Sequence, residues 1–336
     1  MIVTRTPFRL PLGGGSTDLP AYYEAYGGFV FSVAVNLYMY VGLNRPPIDN
    51  RIRVKYSASE EVETVEELKH NSARAALERT GLREMVEISS MADVPDGTGL
   101  GSSGSYLVGL LNALHAFRGD NLSQTQLAEE AFSVAADDLK LPDGKQDFYL
   151  AACGNFCVLR ITPKGAVDVH IPPISLSTQQ AFEARTLLFY TGVRRSSVDI
   201  LRSQETALKA KQTGAIELKH GIKRLGEEIL AAFVTGDLDR FGRLMDEHWR
   251  LKKQMSEKMS SDRFDEVYAA ARQAGALGGK ILGAGGGGFF LAYCQEGAQA
   301  AVRSVFAGYG MREIEYRVDG GGTQVIVNRP RSVNTI

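Results

Sequence analysis

The chain has 336 residues, 44% hydrophobic and 23% charged, with 38 Lys plus Arg against 39 Asp plus Glu and a net charge of −1. That length suits two domains or one large one, and the composition excludes a largely disordered chain. The near-neutral balance lacks the basic footprint of a nucleic-acid binder, and no apolar run approaches the ~20 residues of a membrane helix.

The start, Met1-Ile2-Val3-Thr4-Arg5, carries no signal-peptide pattern. Short strands open the chain: 2–5, 29–35, 37–43 and 51–56 are rich in β-branched and aromatic residues, with turn residues between them. Residues 60–80 read as a helix, with Val62, Val65, Leu68, Ala73, Ala76 and Leu77 at helical spacing and Gly81 as its stop. A strand at 86–90 leads into a glycine cluster and then a helix whose apolar face is Leu107, Val108, Leu110, Leu111, Leu114 and Phe117. Ser123-Gln124-Thr125-Gln126 reads as a capping box opening a helix to about Leu139, and Leu141-Pro142-Asp143-Gly144 breaks it. The remainder reads as α+β, with strands at 156–161, 167–171, 186–190, 289–293, 314–318 and 323–327. Its helices are expected at 197–208, 221–235, 238–256, 262–274 and 297–306. Pro173, Ser175 and Ser177 suggest a linker, dividing the chain into 1–175 and 176–336.

Cys153, Cys157 and Cys294 form no CxxC pair, which argues against a disulfide framework or structural zinc and for reduced thiols in a cytoplasmic protein. Histidines 70, 115, 170, 220 and 248 show no metal-ligand spacing and read as structural or surface residues.

Glycine is the unusual residue: there are 36 in 336, above the ~7% typical of soluble proteins. They cluster at Gly13-Gly14-Gly15, at 97–104, at 275–288 and at Gly320-Gly321-Gly322, the last resembling a hairpin turn. Residues 95–105 run from a glycine-rich loop into an amphipathic helix, the arrangement that gathers backbone N–H groups around an anion. Ser102, Ser103 and Ser105 add hydroxyls for phosphate oxygens or magnesium; the plainer alternative is a strand-to-helix turn with serine caps. No Lys follows Gly101 or Gly104, so this is not a Walker A loop.

Gly283-Ala284-Gly285-Gly286-Gly287-Gly288 satisfies GxGxxG, but a strand follows rather than the helix a dinucleotide fingerprint needs. A glycine loop between two strands, backing a phosphate or substrate site, fits better, and Lys280 could point a charge at it. In the segment 5–18, Asp18 suits sugar hydroxyls because both carboxylate oxygens accept hydrogen bonds; a turn-capping role is equally compatible. In Gly144-Lys145-Gln146-Asp147 the Asp could serve as a base toward a hydroxyl, or sit in a surface turn.

Together these segments resemble the GHMP kinase family. Pro95 through Gly99-Leu100-Gly101-Ser102-Ser103, and Lys280 through the 283–288 glycines, match its central and C-terminal motifs in order. The likeness covers about residues 2–328. Within the family it points to bacterial D-glycero-D-manno-heptose 7-phosphate 1-kinases, through Arg5-Thr6-Pro7-Phe8-Arg9, the 13–18 loop, Gly144-Lys145-Gln146-Asp147, Phe189-Tyr190-Thr191-Gly192, Glu247-His248-Trp249 and Gly278-Gly279-Lys280. The resemblance implies a two-domain α+β fold with ATP and a sugar phosphate in the interdomain cleft, ATP and Mg2+ as cofactors, and allows a homodimer.

By the same resemblance, Asp147 is the catalytic aspartate and Arg9 the arginine that holds it ionised and balances developing charge. Pro95, Gly97, Gly99, Leu100, Gly101, Ser102, Ser103 and Ser105 form the ATP site, Ser103 also meeting magnesium. Gly14, Gly15, Ser16, Thr17 and Asp18 line the sugar site, with Lys280, Gly285 and Gly286 beside it. Arg194 and Arg195 bind the sugar's own phosphate. The family's usual magnesium-ligand Glu is replaced by Ala135, and Asp138, three residues on, is the expected substitute. The competing readings are a kinase for galactose, fucose or a uronic acid, and a non-catalytic sugar–nucleotide sensor on the same fold. Ala135 favours the sensor, whereas Arg9, Ser103 and Asp147 oppose it.

Overall fold

The computed structural model describes residues 1–195, 198–209 and 213–329. Two long strands organise the first half. β1 (Ile2–Gly13) runs well past the expected 2–5, through Pro7 and Pro11, and is followed by helix α1 (Pro20–Tyr26) and by β2 (Gly28–Asn44). The two strands expected at 29–35 and 37–43 are one. The break read at Asn36 is a β-bulge: Phe8 pairs with Val35 while Pro7 pairs with Tyr38.

β3 (Ile52–Lys55) and β4 (Ser59–Val62) form a hairpin, and the helix expected over 60–80 is only α2 (Asn71–Thr80). Glu60 explains the shortening. Its carboxylate accepts from the backbone N–H groups of Lys69 and His70, at 2.6 and 3.0 Å, which holds the chain in a turn just before α2 starts. β5 (Val86–Ala92) then leads to α3 (Ser102–Arg118), α4 (Gln124–Ser133), α5 (Gln146–Cys153), β6 (Phe156–Ile161) and β7 (Val167–His170). The capping box of α4 forms as expected, but α4 ends at Ser133 in a wide turn over 134–138.

The first sheet has the order β12-β1-β2-β5-β3-β4, and β6 and β7 branch from the start of β2. Helices α2 to α5 cover one face, with Leu107, Leu110, Leu111, Phe132 and Phe148 in that core. Such burial is worth roughly 25 cal/mol per Å² of apolar surface.

The second half contributes α6 (Leu176–Arg185), β8 (Thr186–Tyr190), α7 (Val198–Lys209), α8 (Thr213–Thr235), α9 (Leu238–Lys253), α10 (Asp262–Gln273), β9 (Ala276–Ile281), β10 (Phe289–Cys294), α11 (Gln299–Gly308), β11 (Arg312–Glu313) and β12 (Gln324–Asn328). Its sheet is β11-β8-β10-β9, all antiparallel. Instead of the strand expected at 314–318, an isolated bridge joins Val318 to Val35.

The halves are knit together. One apolar core joins Phe8 and Phe31 of the first sheet to Leu225 and Ile229 of α8 and to Leu291 and Tyr293 of β10. The expected division at 175 falls between β7 and α6, but β12 returns to pair with β1. Among the described residues no helix is long and apolar enough to cross a membrane. All three cysteines are free.

One polar contact supports the helix layer. The Lys145 side chain is buried, its Nζ 2.5 and 2.7 Å from the Glu129 carboxylate of α4 and 4.4 Å from the centre of the Phe132 ring. Glu129 also accepts from the Tyr149 hydroxyl. Removing the carboxylate leaves a buried ammonium without its anion, so Glu129→Ala should destabilise the fold by about 1–3 kcal/mol. Urea unfolding measures this; an unchanged midpoint would show that the pair adds nothing.

Candidate active site

Arg9 lies on β1 and is almost wholly buried. Its Nε donates to Asp147 Oδ1 at 2.8 Å, its Nη2 lies 2.6 Å from the same oxygen, and its Nη1 donates to the Gly99 carbonyl at 2.6 Å. One guanidinium thus ties together β1, the first turn of α5 and the 95–101 loop. The backbone repeats the link, with Arg9 N–H donating to the Leu100 carbonyl at 3.1 Å.

The first turn of α3 faces the same point. No side chain caps its N-terminus, which leaves N–H groups and the positive end of the helix dipole directed at the cleft. Ser103 is exposed there. Gly104 leaves the room that Asp147 occupies: a Cβ there would lie 2.8 Å from Asp147 Cβ. Gly283 meets Gly99 at least as closely, a Cβ there lying 2.7 Å from Gly99 Cα, so the two glycine loops touch each other as well as facing the cleft.

The third wall is the 13–19 loop. Asp18 is fully buried, and its Oδ2 accepts from Gln146 N–H at 2.9 Å while its Oδ1 has no hydrogen-bond partner among the described residues. A Cβ at Gly144 would strike this carboxylate. Burial raises the Asp18 pKa above the usual carboxylate range. Lys219 of α8 donates to the Ser16 carbonyl at 3.1 Å, and burial pulls its pKa down to about 7. Ser16, Asp18, Gly144 and Gln146 line a cleft of about 120 Å³.

The structure brings Arg9, Gly15, Ser16, Asp18, Gly97, Gly99, Gly101, Ser102, Ser103, Asp147, Arg195 and Lys280 together around this cleft. Other expected residues sit elsewhere. Thr17 is spent on the loop, its hydroxyl donating to the Gly14 and Phe29 carbonyls, and Gly14 packs against Phe29 and Gly226. Leu100 is a core residue, Pro95 offers its carbonyl to Thr98, and the Ser105 hydroxyl donates to the Pro7 carbonyl at 2.8 Å. Gly285 and Gly286 pack against Met259 and Lys258 rather than the cleft. Arg194 is exposed and paired with Asp96.

Asp138 is likewise no metal ligand: it pairs with Arg79 at 2.6 Å on the surface, because the wide turn after α4 carries it away from the cleft. Ala135 is buried in the core. Among the described residues, no group of three or more His, Cys, Asp or Glu is placed to hold a metal.

The cleft also contains Asp143, His248 and Lys252, which the sequence did not single out. Asp143 sat within a helix break. His248 reads as structural from its spacing, although Glu247-His248-Trp249 is one of the resembling segments. Lys252 had no motif.

Residues 66–155 match the GHMP kinases N terminal domain, and residues 229–310 match GHMP kinases C terminal. The chain belongs to the GHMP kinase family. GHMP kinases use ATP, and this chain is an ATP-dependent kinase. A D-glycero-alpha-D-manno-heptose 7-phosphate kinase from Campylobacter jejuni is 29% identical over 86% of this chain and 88% of that protein. A crystal structure described as a D-glycero-D-manno-heptose 1-phosphate kinase from Bacteriodes thetaiotaomicron shares the fold with a TM-score of 0.81, at 23% identity, covering 97% of this chain and 99% of that one. A Lactococcus lactis galactokinase complexed with galactose reaches a TM-score of 0.77 at 19% identity, over 96% of this chain and 94% of that one.

Two outcomes follow from the geometry. Gly104→Ala should leave the kinase folded but push Asp147 aside, lowering turnover by roughly 10²-fold; steady-state kinetics checks it, and full turnover would mean that Asp147 tolerates displacement. The second concerns pH. Burial, then the charges of Asp147 and Asp18, raise the Asp143 pKa to about 7, whereas an unfolded Asp titrates near ~3.9. The folded state therefore binds the extra proton, and this stabilising contribution, complete below about pH 4, is lost as pH rises toward about 7. Asp143→Asn should flatten the fall of the thermal midpoint across that window. Parallel curves for the two proteins would contradict the assignment.

Proposed function

We propose that this kinase transfers the γ-phosphoryl group of ATP to the anomeric hydroxyl of D-glycero-D-manno-heptose 7-phosphate, giving the 1,7-bisphosphate used to make activated heptose for surface polysaccharide. The observation that carries the reading is the Arg9–Asp147 pair, set between the uncapped N-terminus of α3 and the 13–19 loop. A cleft rich in cations suits two phosphorylated substrates better than ATP and a neutral sugar.

In this reading the nucleotide phosphates lie along the 97–103 backbone and the α3 N-terminus, where N–H groups and the helix dipole favour anions. Asp18 and the Ser16 region meet sugar hydroxyls. Asp147 orients the acceptor hydroxyl and takes its proton as the O–P bond forms. Arg9 fixes that carboxylate, and its charge faces the charge developing on the transferring group. Phosphoryl transfer is mostly positioning and charge stabilisation, and this layout supplies both.

The donor set fits a magnesium–nucleotide complex, since Mg2+ commonly uses one or two carboxylates, waters and the phosphates themselves. The Ser103 hydroxyl and the Asp143 and Asp147 carboxylates line the cleft and would hold it. When bound, magnesium neutralises negative charge on the phosphates.

ADP release measured with heptose 7-phosphate, free heptose, galactose and fucose tests the substrate. Turnover confined to the 7-phosphate is expected; efficient turnover of a free sugar would replace the reading with that of a neutral-sugar kinase. Asp147→Asn should cut turnover by about 10²–10⁴-fold with ATP binding nearly intact. Turnover within twofold of wild type would remove Asp147 as the base.

A further inference from the structure

α9 carries His248 and Lys252 four residues apart, and so on one helical face; β9 carries Lys280 beside them, and all three line the cleft. His248 is 3% exposed, yet among the described residues neither of its ring nitrogens has a hydrogen-bond partner. Lys280 is equally buried and, among the described residues, donates only to the Leu12 carbonyl, at 2.8 Å. Lys252 donates to the carbonyls of Ile281 and Gly283 at 2.9 and 2.7 Å. An ammonium has three donors, so two remain on Lys280 and one on Lys252.

Among the described residues neither lysine has a carboxylate partner. Buried cations without an anion are costly, and a buried imidazole with no partner is a rare arrangement in a folded interior. Burial and neighbouring cations push the pKa values of His248 and Lys252 well down, and burial brings that of Lys280 to about 7. An arriving dianion would reverse that penalty.

Of the two arginines, Arg194 is held by Asp96, while Arg195 lines the same cleft, its Nη2 donating to the Leu282 carbonyl at 3.3 Å and its buried Nε without a partner among the described residues, so it stands beside this wall as a further cation. We propose that His248, Lys252 and Lys280 form a phosphate subsite on the α9–β9 wall, separate from the N-terminus of α3. It takes a phosphate monoester dianion, the acceptor's own phosphate. The inference rests on reading the cleft as a phosphoryl-transfer site.

Inorganic phosphate is the probe, titrated by calorimetry into the full-length wild type, Lys252→Met and His248→Gln. Wild type should bind it, and each variant should weaken binding by about 10-fold or more, the worth of one charged hydrogen bond. Lys252→Met removes a desolvated charge; should it fail to fold, His248→Gln, which breaks no hydrogen bond, carries the test. No binding by wild type, or equal binding by the variants, overturns the subsite.

Kinetics then tests the occupant. A raised KM for heptose 7-phosphate alone assigns the acceptor's phosphate, and a lowered kcat with both KM values unchanged overturns that assignment. Phosphate binding lost in the variants of a wild type that turns over no heptose 7-phosphate would sink the heptose reading and keep the subsite. Heptose 7-phosphate turnover with unaltered variants would do the reverse.

Discussion

A single buried guanidinium sets the geometry on which the cleft depends. Arg9 reaches Asp147 and the Gly99 carbonyl at once, so the carboxylate, the nucleotide loop and strand β1 of the first sheet cannot move independently. A buried, hydrogen-bonded ion pair adds little to stability on balance, but it fixes direction well. In a reaction whose barrier is lowered mainly by placement, that is the useful property.

The glycine clusters serve the same end by a route their sequence did not disclose. The 95–105 and 283–288 clusters read as loops backing a phosphate or substrate, and 320–322 as a hairpin turn. In the structure much of the close approach is between parts of the protein: Gly283 on Gly99, Gly104 on Asp147, Gly144 on Asp18, and Gly288 on Thr98. Absent side chains allow three loops from distant parts of the chain to converge on a few ångströms of space. The ligand-facing surface is what remains after that convergence.

This division explains what could be read in advance. The 95–105 loop, the helix after it and the capping box at Ser123 are local patterns, and each formed where spacing placed it. Arg9 and Asp147 could be named because they belong to recognisable motifs. Direction was harder. Arg194 and Arg195 are adjacent and chemically identical, yet only Arg195 lines the cleft, because its backbone N–H is held by the Gly97 carbonyl. Asp138 was expected inward from regular helical spacing, but α4 widens at its end and delivers it to Arg79. His248 and Lys252 looked like ordinary positions on an amphipathic helix; only the packing of α9 on β9 turns that face into a wall of the cleft. Glu60 shows the same rule in the fold: a tertiary hydrogen bond overrode a helical pattern.

The most direct test is a crystal structure of the kinase with a non-hydrolysable ATP analogue, magnesium and heptose 7-phosphate. The γ-phosphate analogue should face the first turn of α3, and an acceptor hydroxyl should lie within ~2.6–3.2 Å of Asp147 while Arg9 keeps its hold on that carboxylate. Nucleotide phosphates seated away from α3, or no sugar hydroxyl within reach of Asp147, would contradict the account.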